Sequence, residues 1–118
     1  MALICMDIDG TIESTEEKSE YVNGPIKIIH LYTLELDHKI VLVSPSPYFP
    51  KNMKGESIYP IIADFGSGEM RYANLLKAKD VYPQRDNLYL YVSNNGDYKE
   101  AQKAGFIYID AQMFANAY

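Results

Sequence analysis

The chain has 118 residues, 47% hydrophobic and 23% charged, which is the size and balance of one globular domain spanning 1–118 and excludes a disordered chain or a pair of domains. Sixteen acidic against eleven basic residues leave a net charge of −5, a field that repels phosphodiester backbones and anionic lipid, so neither nucleic acid nor membrane is an expected partner. One cysteine excludes an internal disulfide and a cysteine-built zinc site and fits a reducing, cytoplasmic setting, while MALICMD reaches an aspartate too early for a signal peptide or a membrane span.

Residues 2–7 (ALICMD) form an apolar run ending in a carboxylate, the pattern of a buried strand with a polar C-terminal end. The segment 9–24 opens on a Gly-Thr turn, carries Glu13, Glu16, Glu17, Lys18 and Glu20, and closes on Asn23-Gly24, which predicts an exposed flap. Pro25 suits a first helical turn, and Ile28, Ile29, Leu31, Tyr32, Leu34 and Leu36 predict a helix over 25–36. A β-branched run predicts a second strand over 39–44, stopped by Pro45. Proline and glycine then break the pattern, with 61–65 (IIADF) a short candidate strand.

Residues 69–79 (EMRYANLLKAK) are good helix formers with Met70, Ala73, Leu75 and Leu76 as the apolar positions. Residues 87–92 (NLYLYV) predict another strand, followed by the polar loop SNNGD. Asp97 stands where it caps a helix over 98–104, Gly105 ends that helix, FIYID predicts a strand, and AQMFANAY a terminal helix. Strand and helix alternate. Parallel neighbours need right-handed crossovers, so the alternation predicts an α/β fold with a parallel sheet and helices on both faces.

In such folds ligands bind beyond the carboxyl ends of the strands. Here those ends are polar: Asp7-Ile8-Asp9-Gly10-Thr11 after the first strand, Ser44 after the second, Ser93-Asn94-Asn95-Gly96-Asp97 after a later one. Asp7 and Asp9 approach a common point only if the chain leaves the β conformation after Ile8, which Gly10 eases.

ICMDIDGT at 4–11, VLVS at 41–44 and YVSNNGDYKEAQKAG at 91–105 together resemble the first, second and fourth motifs of the haloacid dehalogenase (HAD) superfamily of phosphotransferases, over nearly the whole chain. The resemblance implies a three-layer Rossmann-like core and a Mg²⁺-dependent phosphatase working on a phosphomonoester through an aspartyl-phosphate. In that reading Asp7 is the nucleophile and Asp9 the general acid and then base. Gly10, Thr11 and Ser44 face the phosphate. Asp7, Asp9 through its backbone carbonyl, and Asp97 hold Mg²⁺, which two carboxylates facing a phosphate require. Arg71, in the first turn of its helix, is the basic residue for the phosphoryl group, with Lys77 or Lys79 as alternatives.

The chain also departs from the pattern. Val92-Ser93 stands where active relatives usually carry Gly-Asp, which leaves open a catalytically weak or inactive member serving as a binding or assembly module. Ser44 is readable as a strand terminator and Asp97 as a plain helix cap. Neither interval between motifs has room for a cap domain, so the resemblance implies a capless member, with a homo-oligomer covering the open crevice.

Overall fold

The structure, a computed structural model, describes residues 1–13, 24–44, 49–63 and 70–117. The chain runs β1 (Leu3–Met6), α1 (Ile28–Leu34), β2 (Lys39–Leu42), α2 (Arg71–Val81), β3 (Tyr89–Ser93), α3 (Tyr98–Lys103), β4 (Ile107–Asp110) and α4 (Ala111–Asn116). The four strands form one parallel sheet in the order β2-β1-β3-β4. The expected acidic flap is outside the described residues apart from its ends, as are Pro45, residues 64–65 of the short candidate strand, and Glu69.

Alternate side chains of each strand enter different cores, as the two-residue period of a strand requires. Ile4, Met6, Ile40, Leu42 and Val92 pack with Leu31 and Leu34 of α1 and Ala111 and Phe114 of α4. Leu3, Cys5, Val41, Val43, Tyr89 and Tyr91 pack with Leu75 and Ala78 of α2 and Ala101 of α3. β1 is therefore buried on both faces, which explains its unbroken apolar sequence. Burial pushes the Cys5 thiol far above its ordinary range, and it serves as core packing.

Three elements differ from expectation in instructive ways. Helix α1 starts at Ile28, because Ile26 pairs with Ile12 in a parallel bridge, donating its N–H to Thr11 and accepting from Glu13. Gly24 allows this approach: a Cβ there would lie 2.1 Å from the Thr11 carbonyl carbon, so its role is close packing. Near 61–65, Ile61 makes a single parallel bridge to Leu42, with Pro60 and Ile62 bonded to the same residue.

The inward stripe of α2 is Arg71, Asn74, Leu75 and Ala78. Met70 and Leu76, expected inside, are 54% and 40% exposed. The helix is rotated so that two polar side chains face the sheet, and the reason lies at the end of β1.

Candidate active site

β1 leads through α1 to β2 on one side, and β2 leads through α2 to β3 on the other. The strand order thus reverses at β1, and the crevice beyond its carboxyl end is the site such topologies offer a ligand. Leu3 and Cys5 face α2 and α3, and the same period carries Asp7 to that side. There the carboxylate meets Arg71: Nη2 donates to Asp7 Oδ1 at 3.1 Å, and both side chains are 3% exposed.

Burial raises the Asp7 pKa above the usual carboxylate range, while the Arg71 charge, the Ile8 N–H and a hydrogen bond from the Ser44 hydroxyl pull it down. The other oxygen, Oδ2, accepts from the side-chain amide of Asn95, whose Nδ2 also donates to the Asp9 carbonyl at 3.2 Å. The Asp9 side chain is exposed at the mouth. Gly10 follows at φ +75°, a conformation that returns the chain over the strand end and that only glycine adopts at little cost.

Thr11 is buried, and its hydroxyl oxygen accepts the Asn94 N–H at 3.0 Å. The β1 loop is thereby tied to the β3 loop. Ser93, at the position where an acid is usual in the resembling family, is buried; its Oγ accepts the Asn95 N–H at 3.0 Å and lies 3.5 Å from Asp97 Oδ2.

Asp97 precedes α3 without capping it by its side chain. Its Oδ2 instead accepts from the Tyr91 hydroxyl at 2.8 Å and lies 3.9 Å from Arg71 Nε. A fixed cation and a buried phenol, kept protonated by a pKa that burial raises, draw the carboxylate inward more strongly than a helix end. Arg71 is consequently held between two carboxylates and above the Tyr91 ring, 5.9 Å from its centroid. Its Nε and Nη1 are buried without a hydrogen-bond partner among the described residues.

The structure therefore brings Asp7, the Asp9 carbonyl, Ser44, Arg71 and Asp97 to one crevice. It does not bring the alternative lysines there. Lys79 lies over the Tyr89 ring and reaches the Ala104 carbonyl at the opposite end of α2, and Lys77 is exposed. Among the described residues no three His, Cys, Asp or Glu side chains are grouped to hold a metal; of the expected donors Asp7, the Asp9 carbonyl and Asp97, the Asp97 carboxylate is engaged by Tyr91 and Arg71 instead. The oxygens that do converge are Asp7 Oδ2 and the Asp9 carbonyl, both on the Asn95 amide nitrogen. One carboxylate with one carbonyl is a hard donor pair of the kind Mg²⁺ accepts when waters and a phosphate complete its shell.

Two participants escape sequence reasoning. Asn95 lies inside the polar loop but carries no charge to single it out, and Tyr91 reads as a strand aromatic. Comparison with protein-family models, with curated proteins and with solved structures finds no match to this chain.

Proposed function

We propose that the protein is a Mg²⁺-dependent phosphomonoester hydrolase with a capless HAD-like, three-layer core, acting in the cytoplasm. The observation that carries this reading is the buried Asp7–Arg71 pair in which Arg71 Nη1 has no hydrogen-bond partner among the described residues. A buried guanidinium with an unspent donor beside a carboxylate calls for an anion, since leaving such a donor dry costs stability.

In this reading an oxygen of Asp7 attacks phosphorus while the bond to the leaving alcohol breaks, and Asp9 gives that alcohol its proton. Asp9 then takes a proton from water, whose oxygen attacks phosphorus and releases inorganic phosphate from Asp7. Arg71 binds a phosphoryl oxygen, held in place by Asp97 and Tyr91. The Ser44 hydroxyl, hydrogen-bonded to Asp7, keeps its carboxylate oriented. Asp7 Oδ2 and the Asp9 carbonyl would hold Mg²⁺, whose contribution is to neutralise charge and polarise the phosphoryl group. A second copy over the open crevice supplies the water exclusion that a cap would otherwise give.

A binding or assembly module is the second reading. It is favoured by the engagement of both Asp7 oxygens, by Arg71 and Asn95, and by Ser93 in place of an acid. Turnover of an aryl phosphate by the purified protein separates the two. We expect turnover in Mg²⁺ that is lost in excess chelator and in Asp7→Asn. No turnover in Mg²⁺, with saturable binding of inorganic phosphate retained, would overturn hydrolysis in favour of the module.

A further inference from the structure

The strand end where an acid is missing is not bare. Asn95 Nδ2 donates at once to Asp7 Oδ2 and to the Asp9 carbonyl, so a weakly positive amide group sits where two oxygens, one of them anionic, converge. The backbone leading into Asn95 is fixed twice: the Asn94 N–H is held by Thr11 and the Asn95 N–H by Ser93. Asn95 is exposed, so a turn of its amide breaks two hydrogen bonds but no core packing. A carboxamide presents donors at one end and an acceptor oxygen at the other, and a half turn about its last torsion exchanges them. The acceptor end lies beside the same loop, 4.0 Å from the place a Cβ would take on Gly10.

We propose that Asn95 is a divalent-cation ligand: its amide nitrogen satisfies Asp7 and Asp9 when no cation is present, and its Oδ1 turns to join them when one binds. This rests on the cation site of the proposed function and assigns the missing place in it to a neutral oxygen. Charge explains why a neutral group suffices. Arg71 already offsets one of the two carboxylates beside it, the buried Asp7 and the half-buried Asp97. A third carboxylate without a cation would be left unpaired, whereas an amide is satisfied in both states. The buried Nη1 of Arg71, without a hydrogen-bond partner among the described residues, independently marks the same crevice as one that takes an anion, the natural companion of a bound cation.

The test is direct binding of Mn²⁺ to the full-length protein, followed by the electron paramagnetic resonance signal of the free ion. The wild type should bind one Mn²⁺ per chain. Asn95→Ala should weaken binding about tenfold, and Asn95→Asp should tighten it by about as much, because ligand charge sets affinity at oxygen sites. Asn95→Asp should also melt lower than wild type in chelator and gain more from Mn²⁺, since its new carboxylate faces Asp7. Absence of saturable binding by the wild type would overturn the proposal, as would unchanged or tighter binding by Asn95→Ala. Weaker binding by both variants would reduce Asn95 to a loop support and overturn it equally. Mn²⁺ binding that depends on Asn95 in a protein without turnover would instead sustain this proposal and remove hydrolysis.

Discussion

Arg71 and Asp7 decide the character of the crevice, because neither is tolerable in the interior alone. Both are 3% exposed and 3.1 Å apart. Removing one partner of a buried ion pair typically costs about 3–5 kcal/mol, much of it the desolvation of the charge left behind. Arg71→Met should therefore lower the free energy of unfolding by about 3 kcal/mol or more. Asp7→Asn should cost less, since Asp97 remains 3.9 Å from Arg71 Nε. In the double variant the losses should fall well short of their sum. Urea unfolding of the four proteins measures the coupling; strictly additive losses would mean that the pair is not coupled.

At the level of elements, the approach of the segment after the flap to the β1 loop is the tightest constraint. Gly24 packs directly on the Thr11–Ile12 backbone, with a Cβ position 2.1 Å from the Thr11 carbonyl carbon and 2.6 Å from the Ile12 nitrogen. Backbone atoms cannot swing aside as a flexible side chain can. Gly24→Ala should therefore separate the Ile12–Ile26 bridge and destabilise the fold by about 1–3 kcal/mol, the usual range for overpacking. Because Thr11 holds the Asn94 N–H, the change should also loosen the loop that presents Asn95. Faster amide exchange at Asn94 and Asn95 in the variant would show this; a wild-type melting temperature would show that the approach is relieved without cost.

For the whole molecule, the shared central strand is what matters. Leu3 and Cys5 belong to one core, Ile4 and Met6 to the other, so neither core opens without removing β1 from its partner. Unfolding should be one cooperative step, with far-ultraviolet circular dichroism and tyrosine fluorescence giving coincident denaturant curves. Separated transitions would show that the two faces unfold independently. The same strand sits where the order reverses, between β2 and β3, and so gathers the loops that form the site.

Strand–helix alternation, the apolar strands and the polar residues at their ends are local patterns, readable because periods of two and about 3.6 leave their mark in any stretch of chain. From them follow the α/β class with a parallel sheet and the interest of Asp7, Ser44 and Asp97. No local pattern sets the rotation of α2. Its apolar positions favour burying Met70 and Leu76, yet Arg71 and Asn74 turn inward, because pairing the buried Asp7 outweighs exposing two flexible apolar side chains. The turn of Asp97 away from the end of α3 toward Tyr91 and Arg71 is of the same kind, as is the bridge by which Asn95 joins Asp7 to the Asp9 carbonyl. Tyr91 and Asp97 are six residues apart, but Arg71 and Asn95 lie 64 and 88 residues from Asp7 and reach it only when the crossovers close the sheet. The strength of a buried polar contact depends on such neighbours and on the water they exclude, and that environment exists only in the folded chain.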